Sequence, residues 1–531
     1  MSAALEPTKT NIRSGRARRW RPWLIGCLVL CNVLCLALGI MLTIRSPDKI
    51  HLRENILLDD LMFGKLHADS TPVTTVRRLK CLGWRNTGGC SPEGPREPEK
   101  DLDCESKIPD GFSGFCEVED QDTHETFAVM RRTCAKGKPG AVIRCADAPG
   151  FFNFRAEVQQ VIDKTLESGF ELPNINNSQH QRGIVMVVYP ALIPSAYATL
   201  RALREVHGSR LPIEIWSRPD EFRRAPGALN PLKALALNDT RGGMTFRQIN
   251  HPRAVGYAAK VHAIYHSHFE QILFLDADNV PVRDPSYLFE LPEYLQSGAV
   301  FWPDYWHPDH SIFFINQDSL VWQLLDLPFV DMFEQESGQL LIDRRRHAAP
   351  LELVNFYAKH RPDYFSLMNL AWGDKDLFRF AWLKLDASFH MIKTPPSVAG
   401  KVYGDSFCGM TMVQHDPKGD VIFLHRNQMK LTGKPPVSKS HSNLPNTTDT
   451  FPDPAMWTHL LSFRSSSPRA KYIIQGHWES QFSDKRRCFG RREMDRNQDF
   501  YSEKFADSSF SSLETNLRRF AMEAAQFDKK G

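Results

Sequence analysis

The sequence predicts an α/β fold whose catalytic layer is a mostly parallel sheet, and three short apolar runs carry that prediction. The stretches 183–189 (GIVMVVY), 213–216 (IEIW) and 272–275 (ILFL) are β-rich and unbroken by polar residues, as strands buried on both faces are. Between them the spacing turns helical, through Tyr197, Leu200, Leu203 and Val206 and again over 258–268. Strand and helix alternating in this way is what a parallel sheet with crossover helices requires. A further amphipathic helix is expected at Leu513 to Phe527, after a Ser-, Pro- and Asn-rich stretch that begins past Pro435.

At 531 residues, 42% of them apolar and 11% aromatic, the chain exceeds one usual domain and can bury at least one sizeable core, which excludes general disorder. Its 66 basic and 62 acidic residues leave a net charge of only +4, too balanced to indicate a nucleic-acid partner. The basic excess is local. Lys9, Arg13, Arg16, Arg18, Arg19 and Arg21 precede an uncharged apolar run at 23–44. At helical rise that run is about 33 Å long, which matches a hydrocarbon core of about 30 Å and exceeds the roughly 7–15 apolar residues of a cleaved signal peptide. The expectation is a retained signal anchor in type II orientation, its cationic flank cytosolic and everything after Arg45 luminal. The resulting organisation is a cytosolic tail (1–22), transmembrane anchor (23–44), stem (45–80), cysteine-rich module (81–150), catalytic block (181–435) and C-terminal extension (436–531).

Cysteine usage points to the same compartment. Eight cysteines follow the anchor: Cys81, Cys90, Cys104, Cys116, Cys134 and Cys145 close together, then Cys408 and Cys488 far downstream. No paired C-x-x-C spacing suggests zinc, so disulfides in an oxidising lumen are expected. Pairing among the first six is not deducible, and closed pairing within each group would join Cys408 to Cys488. Sequons at Asn176, Asn238 and Asn446 suit a luminal chain.

Asp276-Ala277-Asp278 is the centre of the chemistry. The same spacing occurs at Asp101/Asp103, Asp120/Asp122 and Asp374/Asp376, but only Asp276 directly follows a buried apolar run. The pair therefore emerges at the carboxyl end of a strand, where open α/β sheets bind ligands. Two carboxylates there can hold a hard divalent ion against diphosphate oxygens. The short run 421–424 (VIFL) ends on His425, a possible third ligand, while Lys260 and Lys430 could neutralise a departing diphosphate. Trp302, Asp304 and Trp306, in FWPDYWH, have the composition of a sugar platform, although core packing explains the tryptophans almost as well.

Five blocks, LFLDADNVPVRDPSYLF, FWPD, ESGQLLID, WGDKDLF and FLHRNQMK, occur in the order seen in the Golgi α-mannosyltransferases of glycosyltransferase family 71, the Mnn-type enzymes that extend mannan side chains. The chain resembles that family over residues 181–435. The resemblance implies a GT-A (Rossmann-like) fold, GDP-mannose as donor, Mn2+, a glycan or glycoprotein acceptor in the Golgi lumen, and retention of anomeric configuration. It makes Asp276 and Asp278 metal ligands joined by His425, Glu336 and Gln339 sugar or acceptor contacts, and Asp374 the carboxylate nearest the anomeric carbon. The cysteine-rich module has no counterpart in this resemblance. Three rivals remain open: a UDP-sugar donor, a non-catalytic glycan-binding protein of the same fold, and a glycoside hydrolase using two carboxylates.

Overall fold

Alternation within each apolar run decides the layers. In the computed structural model, which describes residues 75–135, 137–177, 181–404, 406–434, 451–478, 487–492 and 498–527, the run at 183–189 forms strand β4 (Arg182–Val188). Ile184, Met186 and Val188 enter one apolar core and Val185 the other; in β7 (Gln271–Leu275), Leu273 and Leu275 join the first while Ile272 and Phe274 join the second. A strand with apolar groups on both faces must lie between two layers, because successive side chains point to opposite sides.

The central sheet has seven strands. Besides β4 and β7 it contains β5 (Ile213–Ser217), β6 (Met244–Gln248), β9 (Ala299–Pro303), β10 (Gln335–Asp343) and β11 (His390–Met391), in the order β11-β9-β10-β7-β4-β5-β6. Strands β6, β5, β4 and β7 are mutually parallel, while β10 runs antiparallel to both β7 and β9. The sheet is therefore mixed, with a parallel half carrying the expected crossover helices, Ile193–Arg201 and Tyr257–His266 among them.

A second sheet packs beyond the carboxyl end of β7. It comprises β12 (Ser397–Tyr403), β13 (Ser406–His415), β14 (Val421–His425), β15 (His459–Phe463), β16 (Gln475–Trp478), β17 (Arg487–Gly490) and β18 (Phe500–Lys504). The short strand β8 (Asn279–Pro281) leaves the central sheet to pair with β14. The disulfide Cys408–Cys488 ties β13 to β17. The C-terminal helix spans Leu513–Phe527, as its pattern predicts, and packs on Ile193–Arg201, where Arg201 pairs with Glu523 at 2.7 Å.

Strands β1 (Leu79–Thr87), β2 (Ser113–Asp120) and β3 (Thr126–Arg132) form an antiparallel sheet stapled by Cys81–Cys104, Cys90–Cys134 and Cys116–Cys145. Its buried Trp84, Cys116 and Cys145 belong to the same apolar core as Phe154, Phe274 and Trp382. The expected anchor at 23–44, the tail before it, Asn446 and most of the stem lie outside the described residues. Among the described residues no helix is long and apolar enough to cross a membrane.

Candidate active site

The site forms where the chain passes from one sheet to the other. Strand β7 ends at Leu275, and the turn Asp276–Asp278 leads directly into β8. The Asp276 amide donates to the Gly338 carbonyl on β10 at 2.9 Å, and the Arg426 amide to the Asp278 carbonyl at 2.9 Å. Register does the rest: Asn279 of β8 stands opposite His425 of β14, so the imidazole arrives beside Asp278 rather than on the other face of the sheet. His425 Nε2 lies 3.5 Å from Asp278 Oδ1 and 3.9 Å from Asp276 Oδ2. One ligand atom from each of the three residues falls within 4.8 Å of the others. Two carboxylate oxygens and an imidazole nitrogen suit a divalent cation of intermediate hardness such as Mn2+, so this donor set fits the metal that the resemblance implies.

Glu336, Lys375 and Gly338 stand behind these groups. His425 Nδ1 faces Glu336 Oε1 at 3.6 Å and has no hydrogen-bond partner of its own. A carboxylate is the kind of group that orients the distal nitrogen of a metal-binding histidine when the two close to hydrogen-bond distance. Glu336 also accepts from the Gly338 amide at 2.6 Å and pairs with Lys375 at 3.2 Å. Gly338 is required by close approach, since a Cβ there would stand 2.6 Å from His425 Nδ1.

Cations border the cluster on two sides. Lys260, on the helix preceding β7, reaches Asp276 Oδ2 at 3.2 Å, Asp374 Oδ2 at 3.4 Å and the Ser337 carbonyl at 2.9 Å. Lys430 bonds Asp278 from the loop after β14. Burial favours the neutral form of the Asp278 carboxyl, but His425 and Lys430 outweigh it and hold the pKa well below the usual range. Glu336 is likewise drawn down to about 2: burial opposes the shift, and Lys375, His425 and Lys260 overcome it. Burial raises Asp374 despite Lys260. Asp374 stands at the N-cap of helix Lys375–Lys384, yet its side chain makes no capping bond, which leaves the carboxylate aimed at Lys260.

The other sequence candidates sit apart from open space. Trp302 is fully buried, donates its indole N–H to the His415 carbonyl at 2.8 Å and packs edge-on against Phe423. Trp306 is buried beside Tyr305, and Asp304 is spent on Lys375. This corrects the sugar-platform reading: these rings close the core beneath the site. Glu336 and Gln339 are also buried, Gln339 accepting from Asn279 at 2.6 Å, so they position the cluster from behind. Of the other Asp-x-Asp spacings only Asp374 reaches the cluster, through Lys260; Asp101 is held by Arg96 at 2.7 Å, Asp120 by Arg77 at 3.2 Å, Asp122 by Arg78 at 2.9 Å and Asp376 by Arg379. Asn176 and Asn238 are both exposed. Sequence reasoning missed Lys375, Ser337, Asn279 and Tyr189. Only Tyr189, which follows the apolar run of β4, had a positional signal.

Residues 181–319 and 328–416 match the family model described as a mannosyltransferase. Among curated proteins, the chain is 27% identical over 260 residues to alpha-1,2-mannosyltransferase MNN2 of Saccharomyces cerevisiae, covering 42% of this chain and 43% of that protein. It is 30% identical over 207 residues to alpha-1,2-mannosyltransferase MNN21 of Candida albicans, covering 32% and 31%. The match thus spans less than half the length of either relative. Among solved structures, the mannosyltransferase Ktr4p from S. cerevisiae, in complex with GDP, overlaps 48% of this chain and 81% of its own at 12% identity and a TM-score of 0.27. Residues 181–416, which hold the Asp276–Asp278 turn and most of its supporting residues, are thus the part of the chain that is similar to the Mnn-type mannosyltransferases.

Proposed function

We propose that the protein is a metal-dependent, retaining α-mannosyltransferase of GT-A fold that moves mannose from GDP-mannose to a mannosylated glycan or glycoprotein. The observation that carries this reading is the convergence of Asp276, Asp278 and His425, the two aspartates lying inside the segment that matches a mannosyltransferase family model and His425 nine residues beyond its end at 416. Mn2+, when bound there, supplies Lewis-acid neutralisation of the leaving diphosphate. The protein's own groups do the remainder. Lys430 and Lys260 flank the cluster and shift from their carboxylate partners toward the diphosphate oxygens as charge develops on them. Tyr189, half-exposed at the end of β4 and within the electrostatic reach of Lys430 and Asp278, offers a ring face to the nucleoside. Asp374, buried and tied to Lys260, stabilises positive charge on the anomeric carbon while the acceptor hydroxyl attacks from the face the diphosphate leaves.

Placement in the Golgi lumen as a type II protein rests on the basic flank and apolar run before residue 45, the four disulfides and the exposed sequons. The deciding experiment incubates the full chain in detergent with a panel of GDP- and UDP-sugars and a mannoside acceptor, in Mn2+ or EDTA. Transfer from GDP-mannose alone, abolished by EDTA, is expected. Undiminished transfer in EDTA, or no transfer from any donor, sinks the reading.

A further inference from the structure

Between the disulfide-stapled sheet and the catalytic block lies a shallow cleft open to solvent. One wall is the end of β3 and the loop after it, including Arg132, Thr133 and Lys138; the other includes Phe313, Asn316 and Asn369. The walls are fixed to each other. The Arg131 amide donates to Gln323 Oε1 at 2.9 Å, Gln323 Nε2 returns a bond to the Arg131 carbonyl at 2.7 Å, and Thr133 Oγ1 donates to Asp318 Oδ1 at 3.1 Å. The cleft is therefore preformed.

Two independent features point to a ligand. Arg132 is only 6% exposed, yet its Nη1 has no hydrogen-bond partner and the nearest carboxylate, Asp110, stands 3.9 Å from Nη2. A buried guanidinium nitrogen without a partner is costly, and this one belongs to a residue that lines the cleft. The second feature is a line of aromatic rings. Tyr257 and Trp372 are 53% and 52% exposed with centroids 6.2 Å apart, and Trp372 lies 5.5 Å from Phe313 in the cleft wall. Lys138 Nζ sits 4.3 Å from the Phe313 ring centroid. Trp372 is two residues before Asp374 in sequence, and the Tyr257 ring lies against Gly373, where an added Cβ would stand 2.8 Å from it, so exposed rings lie between the Asp374 segment and the cleft wall. Flat apolar faces interspersed with amide, hydroxyl and guanidinium groups match pyranose rings, which present C–H faces and hydroxyl edges together.

We infer that this cleft is a subsite for a sugar unit of the acceptor remote from the hydroxyl that receives the transferred residue, so that the disulfide-stapled sheet selects extended oligosaccharides. The inference rests on the transferase reading above and gives the cysteine-rich module a role in acceptor choice. Its test compares acceptors of increasing length, methyl α-mannoside and linear α-linked mannose oligomers of two to six units, with the full chain in detergent and saturating donor. For the unaltered protein kcat/KM should rise about tenfold or more with length, and in Lys138→Ala and Trp372→Ala the gain should shrink to about threefold or less, with Trp372→Tyr restoring it. The full length dependence in both variants, at unchanged melting temperature, overturns the inference. Calorimetric titration of the longest oligomer without donor separates this from failure of the transferase reading. Oligomer binding weakened by both variants supports the subsite even if no nucleotide sugar turns over. Turnover with neither oligomer binding nor length preference leaves the transferase standing and removes the subsite.

Discussion

Replacing Asp276 or Asp278 with Asn keeps the shape of the side chain and removes one charge from a cluster that two lysines and a histidine already face. On the metal-dependent reading, each change should lower transfer by about a thousandfold or more, because a divalent ion held there would contribute several kcal/mol to the transition state. Initial rates across an Mn2+ titration, with melting curves to confirm folding, check this; Asp101→Asn, at the Arg96 pair, serves as the control and should leave the rate nearly unchanged. Glu334 behaves differently. Burial, with Asp376 and Asp304 adding to it, pushes its carboxyl up to about 8. Between the unfolded value near 4.3 and that folded value the unfolded chain binds fewer protons, so stability falls as pH rises through this window. Glu334→Gln should abolish that component, and its melting temperature should gain on the unaltered protein progressively from about pH 5 to about pH 8. Single residues of this kind are the least legible in sequence. Asp276 and Asp278 are readable because an apolar run ends on them, whereas nothing in the pattern around Glu334, Lys375 or Ser337 separates a buried charge from a solvated one. The tryptophans of FWPDYWH mislead for the opposite reason, since composition suits a sugar face as well as a core and only burial decides.

At the scale of the element, β10 carries the most function for its length. Its first half is polar, Gln335-Glu336-Ser337-Gly338-Gln339, and every residue of it is buried, so neither alternation nor hydrophobicity announces a strand there. The continuous apolar runs of β4, β5, β7 and β14 are legible to within a residue or two; β10 is not, because its side chains are buried to hold the site rather than to fill a core. The meeting of β8 with β14 is equally hidden, depending on a three-residue pairing between distant segments. Gly338 tests this design. A methyl group there would stand 2.6 Å from His425 Nδ1 and 3.0 Å from Glu336 Oε1, turning the imidazole away. Gly338→Ala should raise the Mn2+ concentration for half-maximal transfer about 10- to 100-fold, the range for losing such outer support, with an unchanged far-ultraviolet circular dichroism spectrum.

For the whole molecule, the tail that composition presents as an appendage is part of the frame. Arg426, next to His425, donates to Glu514 Oε1 at 3.0 Å and to the Met429 carbonyl at 2.6 Å, and the Glu514 carboxylate also accepts from the Met456 and Trp457 amides at 2.7 and 3.0 Å. Glu514→Ala would leave Arg426 buried without its partner, a cost of about 3–5 kcal/mol. Chemical denaturation should show that loss, and activity should fall with it as the His425 loop loosens. A separate expectation concerns the surface: expressed in a secretory host, the chain should carry glycans on the exposed Asn176 and Asn238, seen as a mobility shift on endoglycosidase treatment that disappears when both are changed to Gln. The anchoring of the His425 loop by Glu514 also imposes a timetable on biosynthesis. A ribosome delivers the aspartate pair long before the histidine that faces it, and the histidine well before the glutamate that steadies its loop. On the transferase reading, a nascent or C-terminally clipped molecule holds the aspartate pair but lacks the glutamate that steadies the His425 loop, so transfer should require the last helix.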